Sequence, residues 1–209
     1  MTFNEIVEST FTCRSYRTDP VARDVLARVL DAARFAPTGG NRQPVRFVAV
    51  RDAASRRRLK ELYLPIWKQY FDSIRRRAPG LMPTALLERA DRFAEHLDDI
   101  PVMVVVCARL ADVYPTDARL GRLSIVGGAS VYPAVQNLLL KAREEGLGTA
   151  LTTLLCLVEP QVKELLAIPE DFATAAMVTI GWPAEPFPAR LSRRPLSKLA
   201  YGDRFGEPL

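Results

Sequence analysis

The feature that most restricts the fold is a valine-rich apolar run, Pro101–Ala108, with the sequence PVMVVVCA. Polar residues do not alternate with apolar ones in this run, which is typical of a strand buried on both faces of a sheet. Shorter apolar runs predict two more strands, at Arg46–Val50 and Ala173–Ile180, and a third apolar segment covers Thr149–Leu157. The 209 residues are enough for one domain with a sizeable core. We therefore predict one central sheet with helices around it.

Helical periodicity fills the intervals between these strands. The clearest amphipathic helix begins at Asp24 and ends before Pro37, with apolar residues at i, i+3 and i+4 spacing. Further helices are predicted at residues 3–10, Ala54–Leu64, Tyr70–Arg77, 84–97, Gly127–Arg143 and Val162–Ala167. Pro65 and the segment Ala78–Gly80 are expected to interrupt helical structure, and Pro133 implies that the helix Gly127–Arg143 is kinked or restarts there. We predict one domain over residues 1–209, with a helical insertion at about 54–97 and a C-terminal arm at about 184–209.

Composition and charge exclude several classes of function. The net charge of +5 makes anionic ligands plausible, and the arginine triplets at 56–58 and 75–77 raise the question of nucleic acid. Aromatic and glycine residues are not interleaved with these triplets, so we interpret them as solvated helix faces and expect no nucleic-acid partner. One histidine and three cysteines without a CxxC spacing predict no metal site. No signal peptide or membrane-length apolar run is present, so we expect a cytoplasmic protein without a membrane partner.

Four segments carry residues suited to binding chemistry. Thr12–Arg17 (TCRSYR) places arginines among hydroxyl groups, which suits an anion. The loop Pro37–Pro44 (PTGGNRQP) combines two glycines with Asn and Gln, which suits close approach to the edge of a heterocycle. In the segment Gly146–Leu154, two glycines close a helix and small or hydroxylated residues follow them. In the C-terminal tail, arginines cluster at positions 190, 193 and 194. The loop is the most specific of these signals, because an ordinary turn does not need that combination.

In this order, the four segments resemble the FMN-dependent nitroreductase family. The resemblance spans nearly the whole chain and rests on TCRSYRTDPV, APTGGNRQPVRFVAV, AVQNLLLKAREEGLGTALTT and GWPAE with the later RRPL. It implies an α+β fold, an FMN sandwich whose central, mainly antiparallel sheet is flanked by helices. It also implies an intertwined homodimer, with the C-terminal arm crossing onto the partner and each FMN at the interface.

The resemblance further assigns FMN-binding roles to individual residues. It places Arg14 at the N1/O2 edge of the flavin, where a positive charge stabilises the reduced ring. It places Thr12 at the position where the family usually has a serine. Asn41 corresponds to the asparagine at the ring edge, and Leu151 and Thr153 to positions whose backbone meets N5 and O4. The other implied cofactor-binding residues are Ser15, Arg17, Pro37, Gly39, Gln43, Arg193 and Arg194, the two tail arginines being matched to the phosphate.

The register of the first segment stays open. The family's phosphate-binding arginine would fall near Thr10 or Phe11, where this chain has none. A shift of one residue would instead place Arg14 and Ser15 on the phosphate and Arg17 on the ring. No catalytic acid or base is expected, because the cofactor carries the chemistry.

The function implied is an FMN-dependent oxidoreductase with a ping-pong mechanism, in which NADH or NADPH delivers hydride and a nitro, quinone or other conjugated small molecule accepts it. Alternatives are a flavin-fragmenting or dehalogenating relative of the same fold, or a non-catalytic FMN-binding module. Four aromatic residues in the insertion, Tyr63, Trp67, Tyr70 and Phe71, could roof the substrate cavity as a lid. Core packing explains the same stripe equally well, so both interpretations stay open.

Overall fold

The computed structural model describes residues 1–77 and 83–209. Its sheet consists of β1 (Val45–Val50), β2 (Val102–Arg109), β3 (Gly148–Thr152) and β4 (Phe172–Gly181). The strand order is β1-β2-β4-β3, and each neighbouring pair is antiparallel. The prediction of a central antiparallel sheet in an α+β fold is therefore confirmed.

Strand β2 is buried on both faces, as its valine-rich sequence predicts. Val102, Val104 and Val106 belong to one core cluster, with side chains from the helices on that face. Met103, Val105 and Cys107 belong to a second cluster on the opposite face. Successive side chains of a strand point to opposite sides, so an uninterrupted apolar run is what a sheet covered by two layers requires.

The helices form those two layers. They are α1 (Phe3–Ser9), α2 (Arg23–Ala33), α3 (Ala53–Arg77), α4 (Thr84–Glu95), α5 (Tyr132–Glu144) and α6 (Glu159–Leu166). Leu26 of α2 and Leu138 of α5 lie in the first cluster, whereas Leu59 of α3 and Phe93 of α4 lie in the second. None of the helices in the described part of the chain is both long and apolar enough to cross a bilayer.

Two predicted helix boundaries were wrong. Pro65 does not interrupt α3, which runs through it. Pro65 is exposed, while Tyr63 and Trp67 on either side of it are buried, and this packing offsets the ~3 kcal/mol that an internal proline costs. Helix α5 begins at Tyr132 rather than Gly127, with Pro133 in its first turn, where a proline is well tolerated. The break expected at Ala78–Gly80 lies outside the described residues.

The C-terminal arm beyond β4 contains only one short 3-10 turn, Leu196–Lys198. It passes beside α1, where the Leu191 amide donates to the Glu8 carbonyl (2.7 Å) and Arg190 forms an ion pair with the Glu8 carboxylate (3.1 Å). These contacts bring the arm next to the N-terminal segment that follows α1.

Candidate functional site

The segment Thr12–Arg17 lies along the edge of the sheet formed by β3. The Cys13 amide donates to the Thr149 carbonyl at 2.8 Å, and Thr12 forms a parallel bridge with Thr149. Gly148 makes this approach possible, because a Cβ there would lie 2.6 Å from the Cys13 Sγ. The start of the segment is therefore held against the edge of β3, which fixes where Arg14 emerges.

Cys13 and Tyr16 anchor this segment in the core. The Tyr16 hydroxyl donates to the Cys13 carbonyl (3.0 Å) and lies 2.9 Å from the Thr179 Oγ1. Burial raises the pKa of the Tyr16 hydroxyl, and burial also raises the pKa of the Cys13 thiol. Both side chains are thus neutral at physiological pH, and they serve to position the neighbouring Arg14 and Thr12.

Three cavities meet at Arg14. The first, which we call the arm cavity, measures about 750 Å³ and extends from the N-terminal segment to α5 and the C-terminal arm. The second, the aromatic cavity, measures about 390 Å³ and lies under α3 and α4. The third, the arginine cavity, measures about 350 Å³ and lies beside α4. Thr12 and Leu151 are also shared by the arm cavity and the aromatic cavity, so these two cavities adjoin each other.

Arg14 is a half-buried cation without an acidic partner. Within the described part of the chain, no carboxylate lies within ion-pair distance of its guanidinium, and no acceptor takes a hydrogen bond from it. Burial lowers the pKa of Arg14, and the positive charge of Arg89 lowers it further. The guanidinium stays charged, so its surroundings favour an anionic or electron-rich ligand.

The other predicted residues of the N-terminal segment and the arm separate into two groups. Arg193 lines the arm cavity, and Ser15 lines the arginine cavity. Arg17 lines none of the three cavities, because it pairs with Asp19 (3.0 Å) and lies over the Trp182 ring. Arg194 also lines none of them.

The two residues at the end of β3 that we predicted from the resemblance lie at the cavities. Leu151 lines both the arm cavity and the aromatic cavity, and Thr153 lines the aromatic cavity. Of the four aromatic residues of the insertion, Tyr63, Trp67 and Tyr70 line the aromatic cavity, while Phe71 packs on Trp67. Tyr63 and Trp67 are also buried, so the same side chains contribute to the core and to the cavity wall.

The glycine-rich loop lies elsewhere on the molecule. Pro37, Gly39, Asn41 and Gln43 are exposed, and none of them lines the three cavities. The loop has an unusual backbone, with positive φ at Asn41 (54°) and Gln43 (50°), and the Gly39 amide donates to the Ser130 Oγ (3.0 Å).

The sheet register gives the separation between this loop and Arg14. Strand β1, which follows the loop, starts level with Ala173 of β4, whereas Thr149 lies level with Ile180. Seven residues along the strands and three strand spacings across correspond to roughly 25 Å. The loop and Arg14 of one chain therefore do not face a common ligand.

Two residues of the site were missed by the sequence analysis. Arg89 lines both the arm and arginine cavities and pairs with Glu185 at 2.8 Å. Arg89, Arg92 and His96 recur at i, i+3 and i+7, so helical periodicity could have placed them on one face. Gln136 in the arm cavity carries no comparable signal. Among the described residues, no group of three or more His, Cys, Asp or Glu side chains is arranged to hold a metal ion.

Comparisons with known proteins give a consistent family assignment. Residues 7–182 match the model of the Nitroreductase family. The chain is 33% identical over 183 residues to a 5,6-dimethylbenzimidazole synthase of Rhodospirillum rubrum, covering 84% of this chain and 79% of that one. It is 30% identical over 179 residues to an NADH dehydrogenase of Thermus thermophilus, covering 82% of each chain.

The solved structures agree on the fold. Oxidized iodotyrosine deiodinase, crystallised with FMN and 3-iodo-L-tyrosine, superposes with a TM-score of 0.70 at 21% identity, covering 93% of this chain and 96% of that one. At this identity the likeness shows the fold alone. The family model extends over most of the chain and includes the N-terminal segment, all four strands and the site around Arg14. The chain belongs to the nitroreductase family of flavin oxidoreductases.

Proposed function

We propose that the protein is an FMN-dependent oxidoreductase that takes hydride from NADH or NADPH and passes it to a nitro, quinone or other conjugated small molecule by a ping-pong mechanism. The observation that carries this proposal is Arg14, an unpaired, half-buried guanidinium at the junction of the arm cavity and the aromatic cavity. Burying a charge without a partner is costly, so a ligand that supplies electron density there would stabilise the site.

The two adjoining cavities fit the parts of FMN. The arm cavity offers hydroxyl and amide groups of Thr10, Thr12 and Gln136 for a polyhydroxylated chain, and Arg193 for a phosphate. The aromatic cavity is lined mainly by apolar side chains, which suits a planar ring. We assign Arg14 to the polar edge of the ring and Arg193 to the phosphate. The pairing of Arg17 with Asp19 supports this register over the shifted one.

FMN, when bound, supplies the ring that accepts and donates hydride. Arg14 would stabilise negative charge at the ring edge, which is an electrostatic contribution made by a group already in place. Trp67, Leu87 and Phe93 would exclude water from the aromatic cavity. Burial raises the pKa of Tyr63, so its hydroxyl keeps its proton at neutral pH and does not act as a base.

The predicted role of the glycine-rich loop needs a second copy of the chain. Asn41 and Gln43 lie roughly 25 Å from the β3 edge of the same chain, by strand geometry. If they contact the ring edge, they do so from a partner, which supports a homodimer with FMN at its interface. Several large apolar side chains between β2 and α5 are exposed, and they offer surface for such an interface: Leu110, Tyr114, Leu120, Leu123 and Ile125.

A second candidate is favoured by the identity to the 5,6-dimethylbenzimidazole synthase. In that product, a dimethyl-substituted benzene ring carries nitrogen atoms on two adjacent carbons, and the flavin ring contains the same unit. In a flavin-fragmenting relative, the cofactor itself would therefore be the substrate. Dehalogenation and non-catalytic FMN binding remain further alternatives. We favour the reductase because the arginine cavity, which FMN does not fill in this assignment, leaves room for a separate substrate next to Arg14.

An absorption spectrum of the purified protein, followed by anaerobic titration with NADH and NADPH, tests the proposal. We expect a flavin spectrum that bleaches with one equivalent of donor and returns when a quinone or nitroarene is added. Mass spectrometry of the aerobic products separates the candidates, since dimethylbenzimidazole would indicate fragmentation. A colourless protein that does not take up added FMN would refute the proposal.

A further inference from the structure

Besides Arg14, the arginine cavity carries positive charges to which the proposed flavin site assigns no role. Three arginines line it, Arg14, Arg89 and Arg92, together with His96. Arg89, Arg92 and His96 lie on one face of α4 and its C-terminal end, because their spacing is i, i+3 and i+7. All three side chains are exposed, so the pairing of the two arginines decides what the cavity attracts.

Internal pairing accounts for only part of this charge. Glu185 pairs with Arg89 at 2.8 Å, and Asp99 contacts the His96 ring at 3.0 Å. These are the two acidic residues that line the cavity. Arg92 has Glu88 one helical turn before it, yet it makes no ion pair within 4 Å among the described residues. Since the proposed function assigns Arg14 to the flavin edge, Arg92 is the charge left uncompensated in this cavity.

We propose that the arginine cavity binds an oxyanion, a carboxylate or a phosphate, carried by the molecule that reacts with the bound flavin. Arg14 and Phe93 line both cavities, so a ligand can place its reactive part beside the aromatic wall and its anionic group near Arg92. Guanidinium groups bind carboxylate and phosphate through paired N–H donors, which gives direction as well as charge. This inference rests on the proposed function and adds a substrate class to it.

The oxyanion can come from the acceptor or from the donor, and two pairs of substrates separate these sources. The acceptor pair is 4-nitrobenzoate and 4-nitrobenzamide, which differ in charge but little in shape. The donor pair is NADPH and NADH, which differ by one phosphate. We expect the wild type to prefer the charged member of one pair in kcat/KM, and Arg92→Gln to reduce that preference about tenfold, the effect of one charge-assisted hydrogen bond. Arg92→Lys should restore part of it, because a point charge replaces a forked donor.

A matched control removes the general effect of charge. Arg57 is an exposed arginine of α3 that lines none of the three cavities, so Arg57→Gln changes the net charge equally. Its substrate preferences should match those of the wild type. If Arg92→Gln and Arg57→Gln behave alike in both pairs, the inference is overturned.

A binding measurement keeps the test independent of turnover. Calorimetric titration of the purified protein with benzoate and with inorganic phosphate should show salt-sensitive binding that Arg92→Gln weakens and Arg57→Gln retains. If the protein binds these anions in this way but oxidises neither nicotinamide, the proposed function fails and the anion site stands. If turnover is normal but no anion binding depends on Arg92, the anion site fails and the proposed function stands.

Discussion

Replacement of Gly148 by alanine tests how the N-terminal segment is held against the sheet. A Cβ at this position would lie 2.6 Å from the Cys13 Sγ and 2.8 Å from the Cys13 Cβ, both closer than packed atoms tolerate. Cys13 is 1% exposed and hydrogen-bonded to Thr149 through its backbone, so it has little room to move. Overpacking of this kind costs about 1–3 kcal/mol. The melting temperature should fall by about 2–12 °C for a chain of this length.

The assay is thermal unfolding of four variants beside the wild type: Gly148→Ala, Gly127→Ala, Cys13→Gly and the combination of Cys13→Gly with Gly148→Ala. Gly127→Ala is the matched control, because its Cβ would meet only the Ser124 Oγ at an ordinary 3.6 Å. Cys13→Gly should relieve the clash when combined with Gly148→Ala, so the two changes should cost less together than the sum of their separate costs. A Gly148→Ala protein as stable as the Gly127→Ala protein would refute the proposed strand-like packing of residues 12–14.

Two further predictions concern charge and the loop. Hydrogen bonds from Arg28 and then Lys141 lower the pKa of Glu145 to about 2, so its contribution to stability is present above pH 4.5 and is lost as the pH falls towards 2. Glu145→Gln should flatten the pH dependence of unfolding in that window, and an unchanged profile would contradict this. Asn41→Ala and Asn41→Gly should both weaken FMN retention, and glycine excludes backbone strain at the positive φ as the cause. Full flavin occupancy in both variants would show that Asn41 is not a cofactor contact.

The sequence predicts the parts of the fold where one local signal dominates. The apolar run of β2 and the amphipathic stripe of α2 are set by burial, and both elements lie where they were expected. Pro65 shows the limit, because the packing of Tyr63 and Trp67 outweighs the local preference of proline to end a helix. Long-range contacts of this kind leave no pattern in a short window of sequence.

The candidate site was predictable in its residue types but not in its arrangement. The motifs identify Arg14, Leu151 and Arg193, which the structure brings together at the arm cavity. The motifs do not predict that Asn41 lies on the far side of the sheet from Arg14, because strand order and register set the distance between them. Arg89 was missed because its role depends on how α4 packs beside the N-terminal segment.

The affinity of FMN for the wild type and for Arg14→Gln tests the central claim most directly. Flavin fluorescence, measured as protein is added to dilute FMN, gives both dissociation constants, and circular dichroism shows whether the variant is folded. We expect tight binding by the wild type and at least about tenfold weaker binding by the folded variant, because the change removes a charge-assisted contact in a half-buried site. Equal affinities would contradict the assignment of Arg14 to the flavin edge, and an absence of binding by the wild type would contradict the account as a whole.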